Sequence, residues 1–379
     1  MPALKEAFDD SRPEFCKILK RLKPDLLVYD VLQPWAAEAA AESNVVGIKC
    51  VLFVPGGAAC YSFLAHYSIK PAGAQYPLQD WGIASREGFL KKRATYPNGL
   101  RDEDLDTYTD CMKRSSDIIL IKTSRNIEAK YIDYLSELLG KEVVPVGPLV
   151  NDKPEDHRTG AEGDDDNKIL KWLNSIDSDS PVVYVSFGSE YFPSKEEMGE
   201  IARGLEMNQA LIRFIWVVRF PPDDHHREKN NKTLLLQEAL PEGFLERVEG
   251  RGLLVEGWAP QAEILRNERV GGFVSHCGWS SVIEAVVYGV PIVAMPMQLD
   301  QPWNANLVEE IGVGVEVKGN KDGMIKRIDG DEMGRVIGEV LGDMEMRNRV
   351  RELSEKLKGD ADAEMDCVVD RLRSLVEGV

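Results

Sequence analysis

Positive charge is in short supply in this chain. Its 379 residues carry 46 Lys and Arg against 64 Asp and Glu, a net charge of -18 with neutral histidines. Nucleic acids and anionic membranes reward basic surfaces, so neither is expected as a principal partner. A small anionic ligand would have to find its positive potential locally, at helix N-termini and a few side chains. Histidine is scarce, and the six cysteines form no Cys-x-x-Cys pair. That gives no support to a zinc ribbon or a disulfide scaffold. No run of about 18 uninterrupted apolar residues occurs, so no membrane-spanning helix is expected. The opening Pro2-Ala3-Leu4-Lys5-Glu6 has neither the charged nor the apolar region of a secretory signal, and the cytosol is the expected compartment.

What is there is a 43% hydrophobic chain with short β-branched runs alternating with amphipathic stretches. The length exceeds the ~250–300 residues at which single cores stop growing, which favours two domains. The runs Asp25 to Asp30, Val45 to Val54, Ile118 to Ile121 and Val143 to Val146 form a first series. Val182 to Phe187, Phe214 to Val218, Leu253 to Val255, Gly272 to Val274 and Pro291 to Ala294 form a second. Such runs read as strands buried on both faces, hence parallel, with helices as crossovers. Ser194-Lys195-Glu196-Glu197 fits a capping box, with Met198, Ile201, Ala202 and Leu205 following at helical spacing. Between the series, Asn151 to Lys168 is polar and acidic and reads as a linker. Pro221 to Lys232 reads as a surface loop. Its His225-His226 pair is not read as a metal site, because adjacent side chains point apart and no carboxylate completes a ligand set.

The segment from Trp258 to Gln301 gathers the chemistry. Gly271 to Ser275 reads as a strand and Ser281 to Tyr288 as the helix after it, joined by a tight turn centred on Gly278. A strand–turn–helix of this kind aims free N–H groups at whatever lies above the helix start, which suits a diphosphate. His276, Ser280 and Ser281 can add donors. Glu284 falls one turn on, where a ribose diol would supply hydrogen bonds to its carboxylate. Trp258 can present a flat face to a base, and Asp300 and Gln301 are placed to bond sugar hydroxyls. Taken singly, a loop tryptophan is a core or surface aromatic and a Ser-Ser pair is a cap. Their order within 44 residues carries the reading.

Over those positions, without a gap, the segment closely resembles the plant secondary-product signature of the family 1 UDP-glycosyltransferases. Val185-Ser186-Phe187-Gly188-Ser189 and Val146-Gly147-Pro148-Leu149 are similar to further motifs of that family. Ser189 to Ser194 and Gln33-Pro34-Trp35-Ala36 look most like its branch-forming members. These add glucose to a sugar already on a terpenoid, apocarotenoid or flavonoid glycoside. The resemblance implies an α/β GT-B fold, two Rossmann-like, doubly wound parallel-sheet domains facing a cleft. It implies an acceptor domain over residues 1–150, a linker over 151–168 and a donor domain over 169–358. A C-terminal helix over 359–379 would pack back on the first domain. By the same resemblance, Trp258 stacks on uracil and the Ala259 backbone pairs with its edge. Gln261 and Glu284 hold the ribose, while Ser189, His276, Gly278 and Ser281 bind the diphosphate. Trp279, Asp300 and Gln301 bind the hexose, and Gln301 favours UDP-glucose. The donor is a co-substrate rather than a cofactor, no metal is needed, the acceptor is a small hydrophobic glycoside, and a monomer is expected. Ser280 departs from the family's usual Asn, so donor binding weaker by ~1 kcal/mol, one net hydrogen bond, is expected.

Sugar transfer with inversion needs a base for the attacking hydroxyl, worth ~10²–10⁴-fold. The family uses a His in a Gly-His-x-x-Pro-like motif, oriented by an Asp at the end of a later strand. Asp30 matches that Asp; outside the resemblance it reads as a strand-end or capping acid. None of His66, His157, His225, His226 and His276 lies in such a motif. On family proportions, the chain is expected to start inside the first domain, leaving one side of the Asp30 strand uncovered and the reaction without its base. Little or no transfer is then expected, with His66 as the one candidate substitute in an aromatic-rich region, Phe53 to Tyr67, bordering the acceptor pocket. The runner-up is a catalytically impaired UDP-sugar-binding fragment. A nicotinamide dehydrogenase lacks its fingerprint here, because Gly312-Val313-Gly314 has no third glycine in register and runs into a strand.

Overall fold

In the computed structural model, the described residues are 2–43, 45–71, 73–78, 102–150, 161–176, 180–207, 212–221, 232–322 and 325–378. His157, the His225-His226 pair, most of the expected 221–232 loop and the first part of the expected linker lie outside them. The described residues fall into two compact units. One runs to Leu149 and resumes at Lys356, and the other runs from Val150 to Glu355.

The first unit contains a parallel sheet of β1 (Leu26–Asp30), β2 (Lys49–Val54), β3 (Ile118–Ile121) and β4 (Glu142–Pro145). Spatial order follows chain order, β1-β2-β3-β4. All four residues of β3 are buried, as a strand covered on both faces must be. At the edge, β1 pairs with β2 and leaves Val28 47% exposed. Val51, Ile118, Leu120, Val144 and Val146 form a core with Val368 and Leu375. The last two come from the C-terminal part of one long helix, Met344–Glu377. Residues expected as loops bordering an acceptor, Phe53 to Tyr67, are instead a strand end and the helix Ala58–Ile69. That helix is buried on nearly all sides, because its small and aromatic residues fill the space between sheet and neighbouring helices.

The second unit holds six parallel strands: β5 (Val182–Ser186), β6 (Arg213–Val218), β7 (Gly252–Glu256), β8 (Val270–Ser275), β9 (Ile292–Ala294) and β10 (Gly314–Glu316). Their order is β10-β9-β8-β5-β6-β7, so the winding reverses between β5 and β8. The capping box forms as expected. Ser194 Oγ accepts from Glu197 N at 3.2 Å, and Glu197 Oε2 accepts from Ser194 N at 2.8 Å. Met198, Ile201, Ala202 and Leu205 of the helix Lys195–Met207 join the core beneath the sheet. One boundary differs from expectation. Residues 161–168, read as linker, open the helix Ala161–Ser175. Ile169, Leu173 and Ile176 anchor it on one buried stripe, and a low apolar content in the preceding turns does not oppose helix.

Candidate functional site

In an open parallel sheet, ligands settle outside the carboxyl ends of the strands where the winding reverses. Here that place lies between the turns after β5 and β8. Gly188 follows β5 with φ 76, and Cys277 follows β8 with φ 63. The left-handed residue of the second turn is therefore Cys277, whereas Gly278 (φ -57) is the N-cap of the helix Trp279–Val287, which starts two residues before Ser281. Glycine is required at 278 for space. A Cβ there would stand 2.6 Å from His276 Nε2, and a Cβ on Gly188 would meet the same atom at 2.6 Å. The imidazole is thus wedged between two glycines. Burial pushes His276 down to about 4, so the ring is neutral near pH 7. Gly278 has no side chain with which to cap the helix, and Ser280 and Ser281 of its first turn line the cavity in front of it.

In front of this turn lies a cavity of about 400 Å³, formed entirely within the second unit. Ser189, Trp258, Ala259, Gln261, Ser280, Ser281 and Glu284 line it. Gln261 opens the helix Gln261–Arg266 and reaches across to Glu284, donating to Oε2 at 2.8 Å and to Ser281 Oγ at 3.2 Å. That amide relieves the carboxylate of the isolation it would suffer beside an anion. Trp258 stays 45% exposed with its ring on the cavity wall. Tyr184, Arg219, Glu263 and Arg266 also line the cavity. Sequence reasoning passed over them, since a single polar residue after a strand or within a helix has no motif of its own.

His276, Gly278, Trp279, Asp300 and Gln301 do not line this cavity. His276 and Gly278 form the turn itself, Trp279 opens the helix after it, and Asp300 and Gln301 start the helix Gln301–Glu310. Trp279 is 4% exposed, and Gln301 Oε1 accepts from the N–H groups of Met297 and Gln298, each at 2.8 Å. Asp300 accepts from Asn304 Nδ2 at 2.9 Å, and burial raises its carboxyl above the usual carboxylate range. The same Asn304 nitrogen donates to Cys277 O at 2.9 Å, tying the start of the helix Gln301–Glu310 to the turn after β8. Asn304 was also missed; its spacing of four from Asp300 was the available signal.

In the first unit, Asp30 ends β1 and accepts from Leu32 N at 2.8 Å, a local turn bond. His66 is 2% exposed, enclosed by Tyr67, Tyr76 and Tyr134, with Nδ1 2.6 Å from Tyr134 OH. Burial lowers its basicity. It is a core histidine, and the expectation that it substitutes for the family's base fails on access. Among the described residues, no group of three or more His, Cys, Asp or Glu could hold a metal ion, and no helix is long and apolar enough to cross a membrane.

Comparison with known proteins gives the family and the fold. The family described as UDP-glucoronosyl and UDP-glucosyl transferase matches residues 164–360. The flavanone 7-O-glucoside 2''-O-beta-L-rhamnosyltransferase of Citrus maxima is 42% identical over 381 residues, 98% of this chain and 78% of that enzyme. The beta-D-glucosyl crocetin beta-1,6-glucosyltransferase of Gardenia jasminoides is 40% identical over 376 residues, 96% of this chain and 80% of the other. Among solved structures, a transferase from Siraitia grosvenorii in complex with UDP superimposes with a TM-score of 0.79 at 25% identity, covering 98% of this chain and 88% of that one. Fold and cradle together define a GT-B glycosyltransferase using a nucleotide-linked sugar. The chain belongs to the UDP-glucuronosyl and UDP-glucosyl transferase family, among its plant members.

Proposed function

We propose that the protein transfers glucose from UDP-glucose, with inversion, to a hydroxyl on a sugar of a terpenoid, apocarotenoid or flavonoid glycoside. The single observation carrying this reading is the cavity at the winding reversal, where Trp258, the Gln261–Glu284 couple and the first turn of the helix Trp279–Val287 converge. Trp258 and the Ala259 backbone take the uracil, and Gln261 and Glu284 take the ribose diol. Ser189, Ser280, Ser281, His276 and the amides after Gly278 take the diphosphate. Trp279, Asp300 and Gln301 take the hexose. The acceptor oxygen attacks the anomeric carbon, the bond from that carbon to the phosphate oxygen breaks, and the hydroxyl proton passes to a base. Preorganised N–H and O–H donors favour the charge that grows on departing UDP. Asp30 would orient an imidazole base. The enzyme would work as a cytosolic monomer without a metal. Both relatives' names describe transfer onto an already glucosylated compound, a flavanone 7-O-glucoside and a beta-D-glucosyl crocetin, which supports the acceptor class.

A second reading, UDP-sugar binding without efficient transfer, draws on one observation: among the described residues Asp30 bonds Leu32 and no imidazole, and His66 is sealed in the core. The two readings part in one experiment. UDP should raise the melting temperature under either. UDP release from UDP-glucose with a glycoside acceptor, followed by NMR of the new linkage, occurs only under the first. Absence of any UDP-induced stabilisation sinks both.

A further inference from the structure

An acidic protein that binds a diphosphate must keep some positive charge in reserve for it. Resting on the nucleotide-sugar reading above, we propose that Arg219 is the counter-charge for the donor's diphosphate.

Arg219 directly follows β6, the strand between β5 and β7. Its backbone is fixed there, because Val217 and Val218 are buried and Gly257 N donates to Val218 O at 3.0 Å. The side chain therefore starts from the carboxyl edge of the sheet, in one row with Ser189 after β5 and Trp258 after β7. It lines the same cavity as both. Nε is sealed from solvent and has no hydrogen-bond partner, and among the described residues Arg219 forms no ion pair.

The other arginine lining the cavity is committed. Arg266 donates to Tyr288 OH at 3.2 Å and lies 5.2 Å from that ring's centre. A guanidinium cannot escape by losing its proton, so leaving one half-buried and unpaired is costly. Acidic partners abound in a chain of 64 Asp and Glu, and Glu263 and Glu284 line this very cavity. Neither pairs with it, and Glu284 takes the Gln261 amide instead. A cation held uncommitted in such surroundings suits an anion that arrives from solvent. Of the donor's parts, only the diphosphate is charged; uracil, ribose and hexose are neutral.

The test is calorimetric titration of the full chain with UDP and, separately, uridine, for wild type, Arg219→Gln and Arg219→Lys. Arg219→Gln should weaken UDP by about tenfold or more, the scale of one charge-assisted contact, while uridine changes by less than about twofold. Arg219→Lys, which keeps the charge, should bind UDP within about threefold of wild type. The wild type should also lose UDP affinity with added salt more steeply than Arg219→Gln does. Equal losses for UDP and uridine, or no loss for either, would overturn the proposal. Should Arg219→Gln show no unfolding transition, the lysine variant decides, and a tenfold loss of UDP there overturns it. A wild type that binds no UDP refutes the underlying nucleotide reading, an outcome distinct from a binding wild type with an indifferent variant.

Discussion

Two helices of this protein begin alike and end up with opposite uses. Each follows a buried parallel strand and has a glycine N-cap, Gly57 after β2 and Gly278 after β8. At the first, the carboxylate of Glu128, itself 0% exposed, accepts from Ala58 N at 2.8 Å and Ala59 N at 2.7 Å. At the second, the helix start borders the cavity through Ser280 and Ser281. The positive end of one helix is thus covered by a buried carboxylate, and the other faces a cavity. Sheet topology agrees with the difference: the first sheet runs in simple order, and only the second reverses. A Gly at a strand–helix turn does not by itself make a cavity; here one forms where the winding reverses.

That contrast can be broken from the closed side. Glu128→Ala removes two charge-assisted bonds and strands two buried N–H groups, so it should cost about 3 kcal/mol of stability in the first unit. UDP affinity should be unchanged. Denaturant melts with and without UDP check both, and a fall in UDP affinity would show that the two helix starts are not independent. From the open side, Trp258→Ala should weaken UDP by ~1–3 kcal/mol, the worth of one stacked base, with little change in melting temperature. Gly278→Ala tests whether the turn needs its bare Cα. Because the backbone at φ -57 suits alanine, only the 2.6 Å approach to His276 should matter, weakening UDP by roughly 1–2 kcal/mol as the ring is displaced. Ser280→Asn should strengthen UDP-glucose binding by ~1 kcal/mol; an unchanged titration would mean that the serine is no handicap.

A further effect concerns pH. His276 is held well below its ordinary 6.5, at about 4, so between those values the unfolded chain binds the extra proton. Stability from the neutral ring is complete above about pH 6.5 and is lost as the pH falls towards 4. His276→Gln should therefore lose less stability than wild type across that window, read as the difference between two pH series of melting temperatures.

Much of the fold was legible because parallel strands buried on both faces announce themselves as short apolar runs, and all nine such runs proved to be strands. The capping box at Ser194 was legible for a different reason: its two reciprocal bonds fix residue types three apart. The helix start at 161–168 was not, since a polar first turn of a helix and a linker have the same composition. Within the candidate site, ordered neighbours such as Trp258, Gln261 and Glu284 could be named in advance because they lie on two strand–helix passages that follow each other in sequence. Asn304 left a weaker signal, its spacing of four from Asp300. Arg219 left none: what it meets across the sheet is a property of packing.

The helix Met344–Glu377 sets a timetable as well as a structure. Glu364 accepts from Ser124 Oγ at 2.7 Å, across 240 positions of sequence, and Val368 and Leu375 complete the core over β2, β3 and β4. During synthesis at ~5–20 residues per second, those strands would wait on the order of tens of seconds for their cover. Meanwhile the second unit, which needs nothing beyond Glu355, can close first. The half that is made earlier is finished last, and its unfinished apolar face is where folding helpers in the cell would be needed.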